Sequence, residues 1–328
     1  MPEYVKINDI KVGSLNVRGF GDDAILDYVT KYKLNLLGVQ ETHIKDSEIL
    51  KDLGKDYIFY GVNTEGNYHH GVGIVAEKNL NPIFTKINSR ICMCEIKLQK
   101  RKLVFISAYA DTLENSRKNP TSRENFYEDL GKTIKKCSKY DIVITSADFN
   151  AQIGGGSETN PDCSGRFSRS NKTNDNGECL LNFSSAHNLF LTNTLFRHKL
   201  SHRTTWTAPY RPYKMKNGEI RTDPIRNQID FILINKPYLR FVQNSRSYGV
   251  TTTESDHKLV IMTLKLELCR LKTEKEALKN QNKINMEGFA YPEKTLKYKE
   301  NLEQLEKQSD FKNLDIKESW EKISEICK

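Results

Sequence analysis

The chain has 328 residues, of which 37% are hydrophobic and 28% charged, with 51 Lys and Arg against 42 Asp and Glu. No apolar run approaches the roughly 18 residues that a membrane helix needs. The N-terminal MPEYVKINDIKVGSLNV carries charges where a signal peptide requires an apolar stretch, so the composition excludes a membrane-spanning chain and points to an intracellular one. Seven cysteines without a CxxC pair exclude a disulfide framework and a zinc site, leaving reduced thiols.

In chain order, IKVGSLNV reads as a first strand. A helix comes next over Asp22 to Lys31, opened by Asp22 and Asp23. LNLLGVQ is a second strand, and YIFYGV with GVGIVAE reads as a hairpin. ICMCEIKL would put Cys92 and Cys94 on one face as small packing groups, and KLVFISAYA continues the strands. A helix over Ser122 to Ser138, with Ser122 as its N-cap, leads to the strand DIVITSADF. A third helix spans Asn176 to His187, and the strands LFLTNT, QIDFILI and LVIMTLKL complete the set. So many strands with so few helices do not fit regular βαβ alternation. The α/β class expected is therefore two mixed β-sheets stacked together and flanked by helices.

After Leu268 the texture changes. LKTEKEALKNQNK and TLKYKENLEQLEKQ are charged and helix-prone, separated by Gly288 and Pro292, so two units are expected: 1–268, and a charged helical tail over 269–328. The tail holds 13 Lys and Arg against 12 Asp and Glu, so +8 of the net +9 belongs to the first unit. A basic surplus there favours a polyanionic partner.

The strand ends carry the chemistry. Asn16 closes the first strand, Gln40 and Glu41 the second, Tyr109 the strand VFISAY, and Asp148 with Asn150 the strand IVITSADFN. Asp230 lies in QIDFILI, while Asp256 and His257 precede KLVIMTL. Singly, each is an ordinary turn former or solvated end. Together they place carboxylates, amides and an imidazole where a sheet holds side chains rigidly and leaves their tips open to a cleft.

The ordered set Asn16, QET, Tyr109, DFN, TTW, IDFIL and SDH resembles the endonuclease/exonuclease/phosphatase superfamily, over Lys11 to Leu266. That resemblance implies a DNase I-like four-layer sandwich with its active site at one edge. LNVRGF, LGVQETHI, SADFNAQIG, LTNTLFRH, TTWTAP and QIDFILIN are closer to the endonuclease domain of non-LTR retrotransposons of the RTE and CR-one type, and to the craniofacial development protein 2-like sequences related to them. The tail resembles the linker to a reverse transcriptase, which implies that domain as a partner. The resemblance as a whole implies a nuclear, metal-dependent endonuclease that nicks DNA and leaves 3'-hydroxyl and 5'-phosphate ends. Two departures stand out. Arg18 occupies the place of an acidic residue in apurinic endonucleases, and Ala110 follows Tyr109 where the repair enzymes have Pro.

Phosphodiester hydrolysis requires charge neutralisation, an activated water and a stabilised leaving group. Glu41 is the expected ligand of Mg²⁺, with Mn²⁺ as the alternative metal; Asn16 would support the same site and Asp256 would contribute through water. Asp148 would orient or deprotonate the water, with Asn150 and Tyr109 beside the phosphate. His257 would bind the phosphate, with Asp230 fixing its tautomer. The residues alone leave open which group is the base. Between Trp206 and Asp230, Arg211, Lys214, Lys216, Arg221 and Arg226 are interleaved with Tyr210 and Tyr213, a pattern suited to a nucleic-acid groove. Trp206 itself reads as a core residue. Gly154 to Gly156 lack the Lys-Ser/Thr continuation of a phosphate loop. A phosphatase or lipid phosphodiesterase, or an inactive nucleic-acid-binding fragment, are the competing readings.

Overall fold

The computed structural model describes residues 9–65, 70–99, 101–208, 224–249, 255–265 and Glu300, together with the backbone of Tyr213–Lys214 and Ile220–Arg221. The expected helical tail over 269–328 thus lies outside the described residues, apart from Glu300. Among the described residues no helix is long and apolar enough to cross a membrane.

The chain begins with β1 (Asp9–Asn16), α1 (Asp22–Tyr32), β2 (Leu36–Gln40), β3 (Glu48–Leu53), β4 (Tyr57–Val62) and β5 (Val72–Glu77). Next come β6 (Ile83–Asn88), β7 (Ile91–Lys97), β8 (Lys102–Tyr109), α2 (Leu113–Lys118), α3 (Pro120–Lys135) and β9 (Ile142–Asp148). After α4 (Asp175–Ala186) and β10 (Leu189–Leu191), the two-residue strands β11 (Trp206–Thr207), β12 (Tyr213–Lys214), β13 (Ile220–Arg221) and β14 (Arg226–Asn227) precede β15 (Asp230–Asn235). The set ends with β16 (Val242–Tyr248) and β17 (Leu259–Lys265). β11 pairs antiparallel with β14, and β12 with β13.

Two mixed sheets result. One runs β16-β17-β1-β2-β5-β4-β3 and the other β10-β15-β9-β8-β7-β6. Within them β1 with β2 and β8 with β9 are parallel, and every other pairing is antiparallel. The expected hairpin is β4 with β5. Strand alternation then sorts the side chains into layers. Leu15, Leu37, Val39, Leu259 and Ile261 pack with Ile25, Tyr28 and Val29 of α1. On the other side Val104, Ile106, Ala108, Val143, Ala147, Phe231 and Leu233 pack with Phe126 and Leu130 of α3 and Leu180 and Phe183 of α4. The four layers are therefore helix, sheet, sheet, helices, and truncating a buried aromatic such as Phe126 to Ala would cost about 3–5 kcal/mol.

The alternate residues, Asn16, Gln40, Ser107, Tyr109, Ser146, Asp148 and Asp230, face the layer between the sheets, where they are buried. The sheets approach closely there. A Cβ on Gly38 would collide with Ser146 Oγ, so only glycine fits. Gln40 Nε2 donates to Ser107 Oγ (3.3 Å) and Ser146 Oγ donates to the Gly13 carbonyl (3.1 Å), giving this end of the interlayer a polar lining.

Two helix starts differ from expectation. Asn119, not Ser122, caps α3: its Oδ1 accepts from the Ser122 N–H (3.2 Å), and Pro120 takes the first turn, where its missing N–H costs nothing. Asn174 likewise caps α4, accepting from Gly177 N–H at 2.8 Å.

Candidate active site

Topology brings the polar strand ends together. In the first sheet Asn16 and Gln40 are register partners on parallel strands, so both C-terminal ends lie side by side. In the second, Tyr109 is level with Asp148 on parallel strands, and Asp230 pairs with Asp148 on the antiparallel neighbour. His257 enters from the loop before β17, where it bridges to Trp206. Ser255 secures that loop: its hydroxyl donates to the Asn16 carbonyl (2.7 Å) and accepts from the His257 backbone N–H (3.1 Å).

At the centre, His257 Nδ1 lies 3.1 Å from both oxygens of Asp230. The other ring nitrogen, Nε2, faces Asp148 Oδ2 at 3.9 Å and Asp256 Oδ1 at 4.0 Å. Burial opposes the imidazolium, but the Asp230 carboxylate and its hydrogen bond, with Asp148 and Asp256 behind them, outweigh it and raise the His257 pKa to about 9. Asp148 is pushed up to about 7, by burial first and the Asp230 charge second, against the opposing pull of His257, Asn16 and the Asn150 N–H.

Asn16 links this unit to the other sheet. Its Nδ2 donates to Glu41 Oε1 (2.8 Å) and to Asp148 Oδ2 (3.0 Å). Tyr109 O–H donates to the same Glu41 oxygen (2.8 Å), and burial together with the Glu41 charge raises the phenol well above its ordinary range. Glu41 sits at φ +50, a left-handed conformation rare for a side-chain-bearing residue and a sign of local strain at the strand end. Asn150, at φ +48, donates its backbone N–H to Asp148 Oδ1 (2.9 Å) and its Nδ2 to the Ala110 carbonyl (3.0 Å).

Asp256 is held from outside. Trp206 Nε1–H donates to its Oδ2 at 2.9 Å, and Arg18 NH1 pairs with the same oxygen at 3.2 Å. Asp256 Oδ1 is buried without a hydrogen-bond partner among the described residues.

Asn16, Glu41, Tyr109, Asp148, Asn150, Asp230, Asp256 and His257, all expected from the strand ends, therefore lie in one connected network. Of the basic set only Arg226 is described with its side chain, and no contact of it with the network is present among the described residues. Arg226 is exposed on β14; Arg211 and Lys216 fall outside the described residues, and of Lys214 and Arg221 only the strand backbone is described. Sequence reasoning misses several participants. Trp206, read as core, is half-buried and serves Asp256. Thr205, just before it, accepts the backbone N–H groups of Ile229 and Asp230 (2.9 and 3.1 Å). Asn176 donates to the Asn150 and Asp111 carbonyls (3.0 and 3.1 Å), fastening the loops after β8 and β9 together. Thr205 and Trp206 are visible in the sequence only as part of the TTW motif, without a role in the site, and Asn176 only as a polar residue at a position that the fold buries.

The donor set fits a hard divalent cation. Asp148, Asp230 and Asp256 lie around His257, with Arg18 on Asp256, and Glu41 joins them through Asn16, with His43 Nε2 3.8 Å from Glu41 Oε2. A buried carboxylate oxygen without a donor, Asp256 Oδ1, is a further place for a cation or water to serve. Asp148, Asp230 and His257 also offer ligand atoms within 4.8 Å of one another. There the Nδ1 proton already serves Asp230, which leaves Nε2 facing Asp148 and Asp256.

Comparison with known proteins agrees with this architecture. The endonuclease domain of TRAS1, a telomere-specific non-LTR retrotransposon, superposes with a TM-score of 0.53 at 12% identity, covering 80% of this chain and 100% of that one. The chain therefore shares the fold of that endonuclease domain, two mixed sheets flanked by helices. Craniofacial development protein 2 of Bos taurus is 26% identical over 267 residues, which cover 78% of this chain and 41% of that protein. The chain thus spans about two fifths of that relative's length. The DNA-(apurinic or apyrimidinic site) endonuclease of Dictyostelium discoideum is 35% identical over 83 residues, 24% of this chain and 23% of that protein. No family model matches.

Proposed function

We propose that this chain is a divalent-metal-dependent endonuclease that nicks DNA to leave 3'-hydroxyl and 5'-phosphate ends. The observation that carries the reading is the buried Asp148–Asp230–His257 unit tied through Asn16 to Glu41 at the joined ends of two sheets. Its likeness to endonuclease folds supports the assignment.

In this reading His257, kept protonated by Asp230, presents Nε2–H to a phosphate oxygen and offsets the charge that builds during attack. Asp148 orients a water and takes its proton, its raised pKa placing it near the working pH. Asn150 and Tyr109 flank the phosphate, and the left-handed turn at Asn150 keeps its backbone on Asp148. Glu41, Asn16 and Asp256 would hold Mg²⁺, whose charge would neutralise the leaving oxygen. The hairpin between Trp206 and Asp230, with Arg211, Lys214, Lys216, Arg221 and Arg226, would contact the target. A reverse transcriptase domain and a nuclear location belong to this proposal too, on the strength of the retrotransposon-like motifs.

Supercoiled plasmid incubated with the protein, with Mg²⁺ or with EDTA, tests the reading. Open-circular product that DNA ligase reseals, formed only with the metal, is expected. Hydrolysis of phosphate monoesters with no nicking under any divalent cation would replace the nuclease by a phosphatase.

A further inference from the structure

Beside the network lies a group of cations that the chemistry does not use. Arg226 is exposed on β14, level with Thr207 of β11. Arg169, from the loop after β9, donates its Nε–H to the Arg226 carbonyl (3.2 Å), and its backbone N–H to Gln228 Oε1 (2.9 Å). Lys258 follows His257 directly. Its backbone N–H donates to the Thr205 carbonyl (2.6 Å), while Thr205 N–H donates to the Asn227 carbonyl (2.9 Å), so Lys258 and the β14 segment flank the same residue. The Lys258 ammonium donates to the Ser201 carbonyl (3.3 Å). Arg203 donates to the Ser168 carbonyl (3.3 Å) and stacks its guanidinium over Phe167, 5.4 Å from the ring centroid.

Among the described residues none of Arg169, Arg203, Arg226 and Lys258 has a carboxylate partner, whereas Arg18, Lys51, Lys78, Arg90, Lys102 and Arg117 each do. Arg169, Arg203 and Lys258 are fastened to backbone carbonyls or an aromatic face instead, which fixes position without neutralising charge. Arg203 Nε and Ser168 Oγ are buried without hydrogen-bond partners among the described residues, and Ser168 is only 6% exposed. Burial and the nearby Arg226 charge also hold the Arg169 pKa below its usual value, a sign that like charges are crowded here. Crowded, unneutralised and anchored cations cost stability in the free protein and gain it when a polyanion arrives.

We infer that Arg169, Arg203 and Lys258, continuous with Arg226 of the hairpin, form an anion-binding surface that grips the phosphodiester backbone of duplex DNA away from the scissile phosphate. This surface rests on the nuclease reading and adds to it. It extends DNA contact from the 207–227 hairpin to the loop after β9 and to the residue next to His257, so the segment that carries the catalytic imidazole also carries a backbone clamp.

The test is binding of a duplex oligonucleotide in EDTA at several salt concentrations, with wild type and an Arg169→Gln, Lys258→Gln double variant whose thermal unfolding is checked beside it. Removing one phosphate contact reduces the logarithmic salt slope by about 0.9, so the double variant is expected to fall below wild type by about 1.8. A second variant, Arg169→Lys with Lys258→Arg, keeps both charges and is expected to recover the slope. Wild type that binds DNA with the same slope as the glutamine variant would overturn the surface and leave the nuclease reading intact. Wild type that neither binds nor nicks DNA would overturn both.

Discussion

The buried end of the interlayer and the cationic rim beside it are built on opposite terms. In the first, ionisable groups are almost wholly removed from water, and each is answered by a specific partner: Asp230 by His257, Asp148 by Asn16 and the Asn150 N–H, Glu41 by Asn16 and Tyr109. In the second, guanidinium and ammonium groups are anchored on backbone carbonyls and left without counterions among the described residues. Burying charges without partners would be prohibitive, so the first region is a fixed constellation suited to a transition state. The second is a field, suited to holding a polymer in place and sensitive to salt.

Substitutions that separate rate from affinity break or sharpen this contrast. The largest effect is expected at the imidazole: His257→Ala should slow nicking by about 10²–10⁴-fold at saturating DNA, because a positioned proton-handling cation is removed, and quench-flow or gel time courses read it. Glu41→Gln should shift the metal rather than the proton. Half-saturating Mg²⁺ should rise by at least about tenfold, measured by nicking against Mg²⁺ concentration.

A third prediction concerns stability. His257 has a folded pKa raised to about 9 from an ordinary 6.5, so its contribution is fully present below about 6.5 and is lost as pH rises through 9. Asp148, raised to about 7 by burial and Asp230, favours the protonated folded form, so that group's stability is lost as pH rises from about 4 to 7. Asp230→Asn removes the stabilising charge on the first and relieves the second. Both act in one direction: the stability advantage of wild type over the variant shrinks steadily as pH rises from about 5 to 10, read by urea unfolding at each pH. An advantage that grows with pH would contradict the assigned protonation.

How far the sequence already shows this contrast depends on burial. Strands in the middle of each sheet, such as YIFYGV and DIVITSADF, are buried almost throughout and stand out as apolar runs. The missed strands β3, β6 and β16 are all sheet edges, EILKDL, IFTKIN and VQNSRSY, where one side faces water and polar residues dilute the pattern. The site residues are legible because their types recur in order at strand ends. The roles of Thr205, Asn176 and Trp206 are not, although TTW belongs to the ordered motifs, because those roles are contacts between loops far apart in sequence, which no local spacing encodes. Helix starts fail in the same way: Ser122 and Asn119 are both good caps, and only the backbone path decides between them.

The smallest expected effect is at the hairpin. Replacing Arg211, Lys214 and Lys216 with Ala should lower the logarithmic salt slope by about 0.9 for each phosphate contact removed and broaden the map of nicked sites. Primer extension at two salt concentrations reads both; an unchanged slope together with an unchanged map would make the hairpin ordinary surface.

Whether the buried carboxylate–imidazole unit performs phosphodiester cleavage is tested most directly by Asp148→Ala. Single-turnover nicking of supercoiled plasmid, measured beside duplex affinity in EDTA, should show cleavage nearly abolished with affinity close to that of wild type. Undiminished nicking by Asp148→Ala, or a fall in affinity as large as the fall in rate, would contradict that role.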